Sequence, residues 1–374
     1  MDQNSKLKLR PSVAIVAKNE FTEFFLSNIR KSIILKVDIS VSDLLFELDG
    51  SLSLSEWFLQ KEFNPGEKEN FLKLLKFLNS NSIIIDVDIP YSKDYEVYPR
   101  VFTLLEDYLS SQSLVINAFN KIKQSKVMIV GLGSVGNWVA QSLLMSGLHK
   151  FILVDPDKVE LSNLHRQAGF KESDEGTSKV SALGMRLKEM RPETEIESFK
   201  DWLNDDFFSK TIISDVDLII NCADFPTVDK TSRIIGEYAM KNNIKHIIGG
   251  GYNLHQSLIG QVVLPGESAC VECFRLNLDT INEIDVSNIS KLNNPTKKVG
   301  SYPPLSSLSA SITANEAFKV LAGLNNIVMS NFRTEFMMRE LNFSNLLMDR
   351  RSDCNWCGYE GKYYQLPRYK DQQS

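Results

Sequence analysis

Three glycines lie between an apolar segment and a helical segment near the middle of the chain. Gly131, Gly133 and Gly136 form a Gly-x-Gly-x-x-Gly pattern within VMIVGLGSVGNWVAQSL. A Cβ would block the tight bend and the approach of a phosphate, while the following helix offers the positive end of its dipole. Asp155 ends the next strand, about 20 residues on, where a carboxylate can bind a ribose hydroxyl. The pattern predicts a turn that binds either a nicotinamide cofactor or ATP. The alternative is a tight turn in an α/β protein that binds no ligand.

Polar side chains that could contact phosphates follow this turn. Asn163, Arg166 and Gln167 lie in ELSNLHRQAG, and Lys179 lies near a predicted helix start in EGTSKVS. Arginine is well suited to phosphate charge. Asp224 ends VDLIINCAD at the same sheet edge, where a carboxylate can bind Mg²⁺. For the segment ELSNLHRQAG alone, the alternative is a polar surface loop, and for Asp224 alone it is a loop cap. Together these residues predict a bound triphosphate with Mg²⁺.

Four of the five cysteines form two widely separated Cys-x-x-Cys pairs, Cys270 with Cys273 and Cys354 with Cys357. Thiolates at this spacing can share one tetrahedral Zn²⁺ in a closed, structural site, and a redox role for either pair is the alternative. Cys222, the fifth cysteine, lies at the end of a predicted buried strand. We expect it to be a packing residue rather than a nucleophile, because free cysteines are usually buried.

The overall composition excludes several classes of protein. The chain has 374 residues, 43% of them apolar, and a net charge of −5 without a long block of one sign. A general nucleic-acid binder would have a basic stripe, so no nucleic-acid partner is expected. The N-terminus lacks a signal-peptide pattern, and no segment reaches the about 20 apolar residues of a membrane span. We therefore expect a cytoplasmic protein without a membrane partner.

Short apolar strands alternate with helices through the centre of the chain. The strands are KVMIVG, KFILVD, VDLIINCAD and HIIGGGY. This alternation predicts an α/β fold with a doubly wound, mostly parallel sheet. From Gln256 the pattern changes to an antiparallel section, with SLIGQVVLPG, EFMMRELNF and NLLMDRR as strands and SLSASITANEAFKVLAG as a late helix. One helix is predicted for VFTLLEDYLSSQSLVINAFNKIKQ.

The composition also changes near residue 90, where PYSKDYEVYPR is polar, aromatic and punctuated by proline. The first 90 residues are predicted to form a small α+β domain, with SVAIVA and KSIILKVDI as strands followed by three helices. We predict a small α+β domain over 1–90, a linker and helix over 91–120, and the nucleotide-binding domain over 121–374.

The chain resembles the ThiF/MoeB/HesA adenylating family, which includes ubiquitin-activating enzymes and bacterial sulfur-carrier activators. The resemblance rests on VGLGSVG, LVDPDKVELSNLHRQ, GTSK, NCAD and the two Cys-x-x-Cys pairs, over residues 98 to about 357. The front domain over 1–90 is similar to the small winged-helix domains that bind leader peptides of ribosomally made natural products, so the resemblance implies a winged-helix domain there. The arrangement is closest to peptide-modifying members, such as the microcin C adenylating enzyme and the pantocin-type enzyme.

The resemblance implies a nucleotide and a set of roles. The nucleotide is ATP: Asp155 binds its ribose, Arg166 and Lys179 hold the triphosphate with Asn163 and Gln167 nearby, and Asp224 holds Mg²⁺. The family also forms homodimers, in which an arginine of an upstream motif, R-Y-x-R-Q, reaches the phosphates of the partner subunit. Here that stretch reads VYPRV, so Arg100 matches the arginine, whereas Val97 and Val101 depart from the motif.

These observations predict an ATP-dependent adenylyltransferase that activates a carboxylate of a ribosomally made precursor peptide. The activated peptide would then undergo dehydration, cyclisation or condensation in the synthesis of a peptide antibiotic. A front domain that only stabilises the fold is the alternative to leader binding. Three alternatives concern the whole chain: a sulfur-carrier or tRNA-modifying adenylating enzyme, a non-catalytic scaffold that presents a peptide to a cyclising enzyme, and a nicotinamide dehydrogenase.

Overall fold

A computed structural model describes residues 2–18, 20–248, 250–253, 255–282 and 300–366. The chain divides into two compact units, Met1–Asn120 and Lys121–Ser374. Each unit has its own sheets and its own buried apolar residues.

The first unit is an α+β domain with two three-stranded antiparallel sheets, ordered β5-β1-β6 and β2-β3-β4. Its strands are β1 Lys6–Leu9, β2 Val13–Lys18, β3 Phe21–Leu26, β4 Lys31–Leu35, β5 Asp49–Ser53 and β6 Ile84–Asp86. Its helices are α1 Ile39–Phe46, α2 Leu54–Leu59, α3 Pro65–Ser80, α4 Asp94–Val97 and α5 Pro99–Glu106, followed by α6 Gln112–Gln124, which ends in the second unit.

Local sequence explains two of these helices. Ser53 and Glu56 form a reciprocal capping box at the start of α2, and Asn64 and Glu67 form another at the start of α3. Each box satisfies backbone N–H groups that the first helical turn leaves without partners. The apolar faces of both helices then pack into a core that includes Phe24.

The second unit is built on a six-stranded sheet with the order β14-β11-β10-β7-β8-β9. Its strands are β7 Lys126–Val130, β8 Lys150–Val154, β9 Glu195–Phe199, β10 Leu218–Asn221, β11 Lys245–Ile248 and β14 Gln261–Val263. All neighbours are parallel except β11 and β14. The strand order reverses between β7 and β10, which is where doubly wound sheets bind ligands.

Helices and a second sheet complete this unit. The helices are α7 Ser134–Met145, α8 Lys179–Met190, α9 Phe207–Lys210, α10 Val228–Lys241, α11 Val271–Asn282 and α12 Pro303–Ala322. The second sheet is antiparallel with the order β12-β13-β15-β16, from β12 Gly251–Asn253, β13 Gln256–Ile259, β15 Phe332–Met337 and β16 Asn342–Leu347. The predicted fold class is confirmed: the chain has a small N-terminal α+β domain, followed by a mostly parallel α/β sheet and an antiparallel section.

Several predicted elements have different limits. The single helix predicted after the linker is instead two helices, α5 and α6. The side chain of Ser111 accepts a hydrogen bond from the Leu114 N–H and so caps the start of α6. The strand predicted over SLIGQVVLPG is divided at Gly260 between two sheets, where a Cβ would lie 2.6 Å from a methyl group of Ile247. HIIGGGY contributes to β11 and β12, and its Gly249 lies outside the described residues. The turn of the β15–β16 hairpin falls inside the predicted strand EFMMRELNF.

Residues 91–120 lie in the same unit as the first 90. The buried Glu106 carboxylate accepts hydrogen bonds from Lys8 Nζ at 2.9 Å and from the Tyr91 hydroxyl at 2.5 Å.

Within the part of the chain that the structure describes, no helix is both long and apolar enough to cross a membrane.

His246 is a titratable group enclosed in the central sheet. It lies on β11, is 1% exposed, and its Nδ1 is 3.2 Å from the Ile244 carbonyl oxygen. Burial lowers the pKa of His246 to about 4, because a charged imidazolium would lose its hydration there. The His246 ring is therefore neutral in the folded protein above about pH 4.

We predict that His246 makes the second unit less stable in acid. The unfolded chain takes up a proton near pH 6.5 and the folded chain only near pH 4, so stability present above pH 6.5 is lost as the pH falls to 4. The loss at this one residue is about 3 kcal/mol. Urea unfolding of the wild-type chain and of His246→Phe between pH 7 and pH 4 measures it. Parallel pH profiles for the two chains would contradict the prediction.

Candidate functional site

The glycine turn after β7 depends on close approaches between backbone segments. Gly131 has a φ of +85°, and a Cβ there would lie 2.6 Å from both the Cys222 carbonyl carbon and the Ala223 nitrogen. A Cβ on Gly136 would lie 2.0 Å from the Gly131 carbonyl oxygen. Both glycines are therefore required by the packing of the protein itself.

Gly133 is different, because no described residue beyond its own chain neighbours and helix lies within 4 Å of the position its Cβ would take. Gly133 is also the N-cap of α7, and no side chain caps the helix there. The first turn of α7, with the positive end of its dipole, therefore begins beside open space and has no capping side chain. An anion such as a nucleotide phosphate fits this cradle, which a side chain at residue 133 would fill.

Asp155 lies directly beside the turn at the end of β8. Its carboxylate accepts hydrogen bonds from the Leu132 N–H at 2.6 Å and the Asp157 N–H at 2.9 Å. Burial raises the pKa of Asp155, and the nearby Lys179 ammonium opposes the rise. The residue thus fixes the glycine turn as well as standing where a ribose would be bound.

Lys179 is brought to the same place by a short pairing of two loops. The Lys179 N–H donates to the Asp157 carbonyl at 2.9 Å, and the Val159 N–H donates to the Thr177 carbonyl at 2.8 Å. The side chain is buried, and its Nζ is 2.8 Å from the Asp157 carboxylate. A buried ammonium beside the turn can supply positive charge to a phosphate at little cost of reorganisation.

The segment 160–170 carries three further predicted residues. Asn163 is buried and its side-chain oxygen accepts from the Glu160 N–H at 3.1 Å, so it holds the shape of the segment. Arg166 is half-buried and donates from Nη1 to the Ser162 carbonyl at 2.8 Å. Gln167 is buried, and its Oε1 has no hydrogen-bond partner among the described residues.

A residue missed from the sequence ties this segment to α7. The Asn137 side-chain oxygen accepts from the Gly169 N–H at 2.8 Å. A Cβ on Gly169 would lie 2.7 Å from the Asn137 amide, so only glycine fits at that position. The contact places the segment with Arg166 beside the helix that starts at the glycine turn.

Asp224 is held by a buried network after β10. Asn221 accepts from the Ala223 N–H at 3.0 Å and donates to the Thr231 hydroxyl at 2.9 Å, which in turn donates to the Ala223 carbonyl. Ala223 is also the residue that Gly131 approaches. Asp224 is exposed, and its carboxylate has no hydrogen bond or ion pair with any described residue. A free carboxylate beside the turn can take a Mg²⁺ ion.

Cys222 lies between Asn221 and Ala223 and packs against the glycine turn, with its Cβ 3.3 Å from the position of a Gly136 Cβ. Burial raises the pKa of Cys222 to about 12, so the thiol is protonated at neutral pH. A protonated thiol is a poor nucleophile.

Exposed aromatic residues at this edge were not singled out from the sequence. Trp202, shortly after β9, contacts Phe225, which follows Asp224, with ring centroids 4.8 Å apart. They are 47% and 63% exposed, which is unusual for large aromatic side chains in contact. Their separation of 23 positions in sequence concealed the pair.

Arg100 lies in the other unit. It is exposed in the first turn of α5, which begins with Pro99. The structure therefore joins the glycine turn, Asp155, Lys179, the segment 160–170 and Asp224, whereas the role of Arg100 stays a prediction.

The four cysteines form a compact buried cluster whose ligand atoms all lie within 4.8 Å of one another. Sγ–Sγ distances are 3.9 Å for Cys270 and Cys273, 3.6 Å for Cys270 and Cys354, and 3.3 Å for Cys273 and Cys357. Sulfurs bound tetrahedrally at about 2.3 Å from zinc would be about 3.8 Å apart. The donor set and its spacing therefore fit a metal ion such as zinc.

Backbone N–H groups donate to two of these sulfurs, from Arg351 to Cys273 at 3.4 Å and from Trp356 to Cys354 at 3.5 Å. Such donors favour thiolates and orient metal ligands. The cluster joins the start of α11 to the end of the described chain.

Curated relatives match part of the chain. The chain is 34% identical over 113 residues to adenylyltransferase and sulfurtransferase UBA4 of Lodderomyces elongisporus, covering 30% of this chain and 25% of that protein. It is 28% identical over 206 residues to ubiquitin-like modifier-activating enzyme 5 of Gallus gallus, covering 50% and 48%. The chain thus spans between a quarter and a half of these curated relatives.

Solved structures match nearly the whole chain. E. coli MccB with ATP superimposes with a TM-score of 0.74 at 21% identity, covering 94% of this chain and 99% of that one. The microcin C7 biosynthetic enzyme MccB in complex with N-formylated MccA gives a TM-score of 0.73 at 20% identity, with the same coverage. At these identities the likeness shows that the fold is shared.

The ThiF family profile matches residues 110–357, which is more than half of the chain. The match contains the glycine turn, Asp155, Lys179, Asp224 and the cysteine cluster. The assignment made from sequence is therefore confirmed: the chain belongs to the ThiF family of adenylating enzymes.

Proposed function

We propose that this protein is an ATP-dependent adenylyltransferase that activates a carboxylate of a ribosomally made precursor peptide. The observation that carries the proposal is the open cradle at Gly133, next to a cationic lysine and a free carboxylate. The activated peptide would go on to dehydration, cyclisation or condensation in peptide antibiotic synthesis.

The nucleotide is ATP rather than a nicotinamide cofactor. Lys179 and Arg166 supply positive charge near the turn, which suits a triphosphate. Asp155 stands at the position of a ribose-binding acid. The exposed rings of Trp202 and Phe225, at the same carboxyl edge, offer faces on which an adenine can stack.

In the proposed reaction a peptide carboxylate oxygen attacks the α-phosphorus of ATP. The bond from that phosphorus to the bridging oxygen breaks, and pyrophosphate leaves with the electron pair. The chain's contribution is to position the triphosphate and to stabilise its charge, since a buried ammonium and helix N–H groups are already in place. Asp224 would hold Mg²⁺, which screens the charge of the triphosphate when it is bound.

The first unit would hold the peptide. In the sheet β2-β3-β4, the edge strand β4 pairs only with β3 among the described strands, contains no proline and has Ile34 62% exposed. Such an edge can accept an extended peptide as an additional strand. The helix α1 packs against β2 and β3, and we place the peptide at β4.

A homodimer and a zinc site complete the proposal. Arg100, exposed on the first unit, would reach the phosphates bound by a second copy of the chain. The cysteine cluster would hold one Zn²⁺ with all four positions taken by sulfur, which makes the site structural rather than catalytic.

A second candidate is the activation of a sulfur-carrier or modifier protein, which the names of the curated relatives favour. Two observations weigh against it. The family match begins at residue 110 and so leaves the folded first unit without a role. The fifth cysteine, Cys222, is held as a thiol. A scaffold without catalysis would have no use for Lys179 and Asp224.

Replacing Asp224 tests the nucleotide site. We expect wild-type protein to bind ATP at least about tenfold more tightly with Mg²⁺ than with EDTA, a difference of about 1.4 kcal/mol. In Asp224→Asn that ratio should fall to about one. Calorimetric titration measures it, and Asp229→Asn, which removes an exposed carboxylate five residues away, is the control. If Asp224→Asn kept the Mg²⁺ effect, Asp224 would not be the ligand.

Two lysine substitutions test the peptide site. Ile34 on β4 and Val16 on β2 both lie opposite Glu23 in the sheet, so each new lysine would have the same neighbour. We expect Ile34→Lys to weaken binding of the precursor peptide by about tenfold, because a charge blocks strand addition. Val16→Lys should have no effect. Fluorescence anisotropy with the full chain measures both; equal losses, or none, would contradict the proposal.

Removal of single cysteines tests the metal. Elemental analysis should find one zinc per wild-type chain, and none in Cys273→Ser, which should also unfold at a lower temperature because metal binding stabilises the fold. Cys222→Ser, the control, should keep its zinc. Wild-type protein purified without chelators and found free of zinc would overturn this assignment.

A further inference from the structure

The glycine turn has a neighbour that neither the sequence patterns nor the comparisons assign. Tyr252 lies on β12, and its hydroxyl is 3.0 Å from the Ser134 hydroxyl. Ser134 is the first residue of α7 and follows Gly133 directly. A phenol from the antiparallel sheet therefore lies at the helix start that faces open space.

The backbone around Tyr252 is fixed by glycine packing. A Cβ on Gly250 would lie 2.6 Å from the Thr313 hydroxyl of α12, so only glycine allows this approach. The Ser309 hydroxyl, one turn earlier on α12, lies 2.9 Å from the Gly251 carbonyl oxygen. The helix α12 also packs along α7. The same helix thus positions both Tyr252 and the element that carries Ser134.

The hydrogen bonds that the Tyr252 and Ser134 hydroxyls make would change when a phosphate binds. Without one, each hydroxyl can donate to the other, and one hydrogen is used between them. A phosphate oxygen seated beside Gly133 would accept from both, because it offers more lone pairs and a full negative charge. A neutral donor held at this distance from the turn adds a hydrogen bond without adding charge.

We propose that Tyr252 is a phosphate-binding residue of the nucleotide site, with its hydroxyl donating to a phosphate oxygen of ATP beside Ser134. This inference rests on the proposed use of ATP. It assigns the β12–β13 hairpin a second role, since the strand that begins the antiparallel sheet also completes the phosphate cradle.

Tyr252→Phe removes only the hydroxyl and is the direct test. The binding of ATP and of adenosine to the full chain is measured by competition with a fluorescent ATP analogue. ATP should bind about tenfold more weakly to the variant, as expected for loss of a hydrogen bond to a charged group, and adenosine should bind unchanged. Tyr238→Phe, which removes a hydroxyl that donates to the Ile213 carbonyl, is the control and should leave both unchanged.

The ratio of the two affinities separates binding from folding, because any fraction of unfolded variant weakens ATP and adenosine equally. Equal losses for both ligands would mean that Tyr252 only supports the structure and would overturn the proposal, as would an unchanged ATP affinity. The wild-type chain tests the proposed function separately. If it bound ATP no better than adenosine, ATP would not be the ligand of the turn.

Discussion

The candidate site depends on the contact between the Gly131 and Gly136 backbones, which leaves only 2.0 Å for a Cβ on Gly136. This contact bends the chain sharply between β7 and α7, so the first helical turn is aimed at the edge where β8 and β10 end. Gly131 also lies against Cys222 and Ala223, so the same bend places Asp224 next to the turn. One backbone constraint therefore brings together a strand end, a helix start and a carboxylate that are distant in sequence.

Electrostatics at this edge follow from burial. Asp155 and Lys179 are both enclosed, and Asp157 links them, accepting from Lys179 through its side chain and donating to Asp155 through its backbone. Charges in such surroundings interact more strongly than in water, and their positions are fixed before a ligand arrives. Asp224 differs in being exposed and in having no partner among the described residues, which suits a group that receives its counter-ion only with the nucleotide.

Much of this could be predicted from sequence because the signals are local. The glycines, the acid at the end of the following strand and the two Cys-x-x-Cys pairs occupy fixed spacings that backbone geometry and metal coordination require. The fold class followed from the alternation of strands and helices. What could not be predicted depends on tertiary packing. Asn137 meets Gly169 only because the segment 160–170 folds back on α7. Tyr252 reaches Ser134 from another sheet, and the strand over residues 256–263 changes sheets at Gly260 because of its packing against Ile247.

Exchange of labelled pyrophosphate into ATP tests most directly whether a peptide carboxylate attacks the α-phosphorus of ATP. The purified chain is incubated with ATP, Mg²⁺, labelled pyrophosphate and the precursor peptide. We expect label to enter ATP only when the peptide is present, because pyrophosphate release is reversible once an acyl adenylate forms. Exchange driven by a sulfur-carrier protein but not by the peptide, or release of ADP and phosphate in place of pyrophosphate, would contradict it.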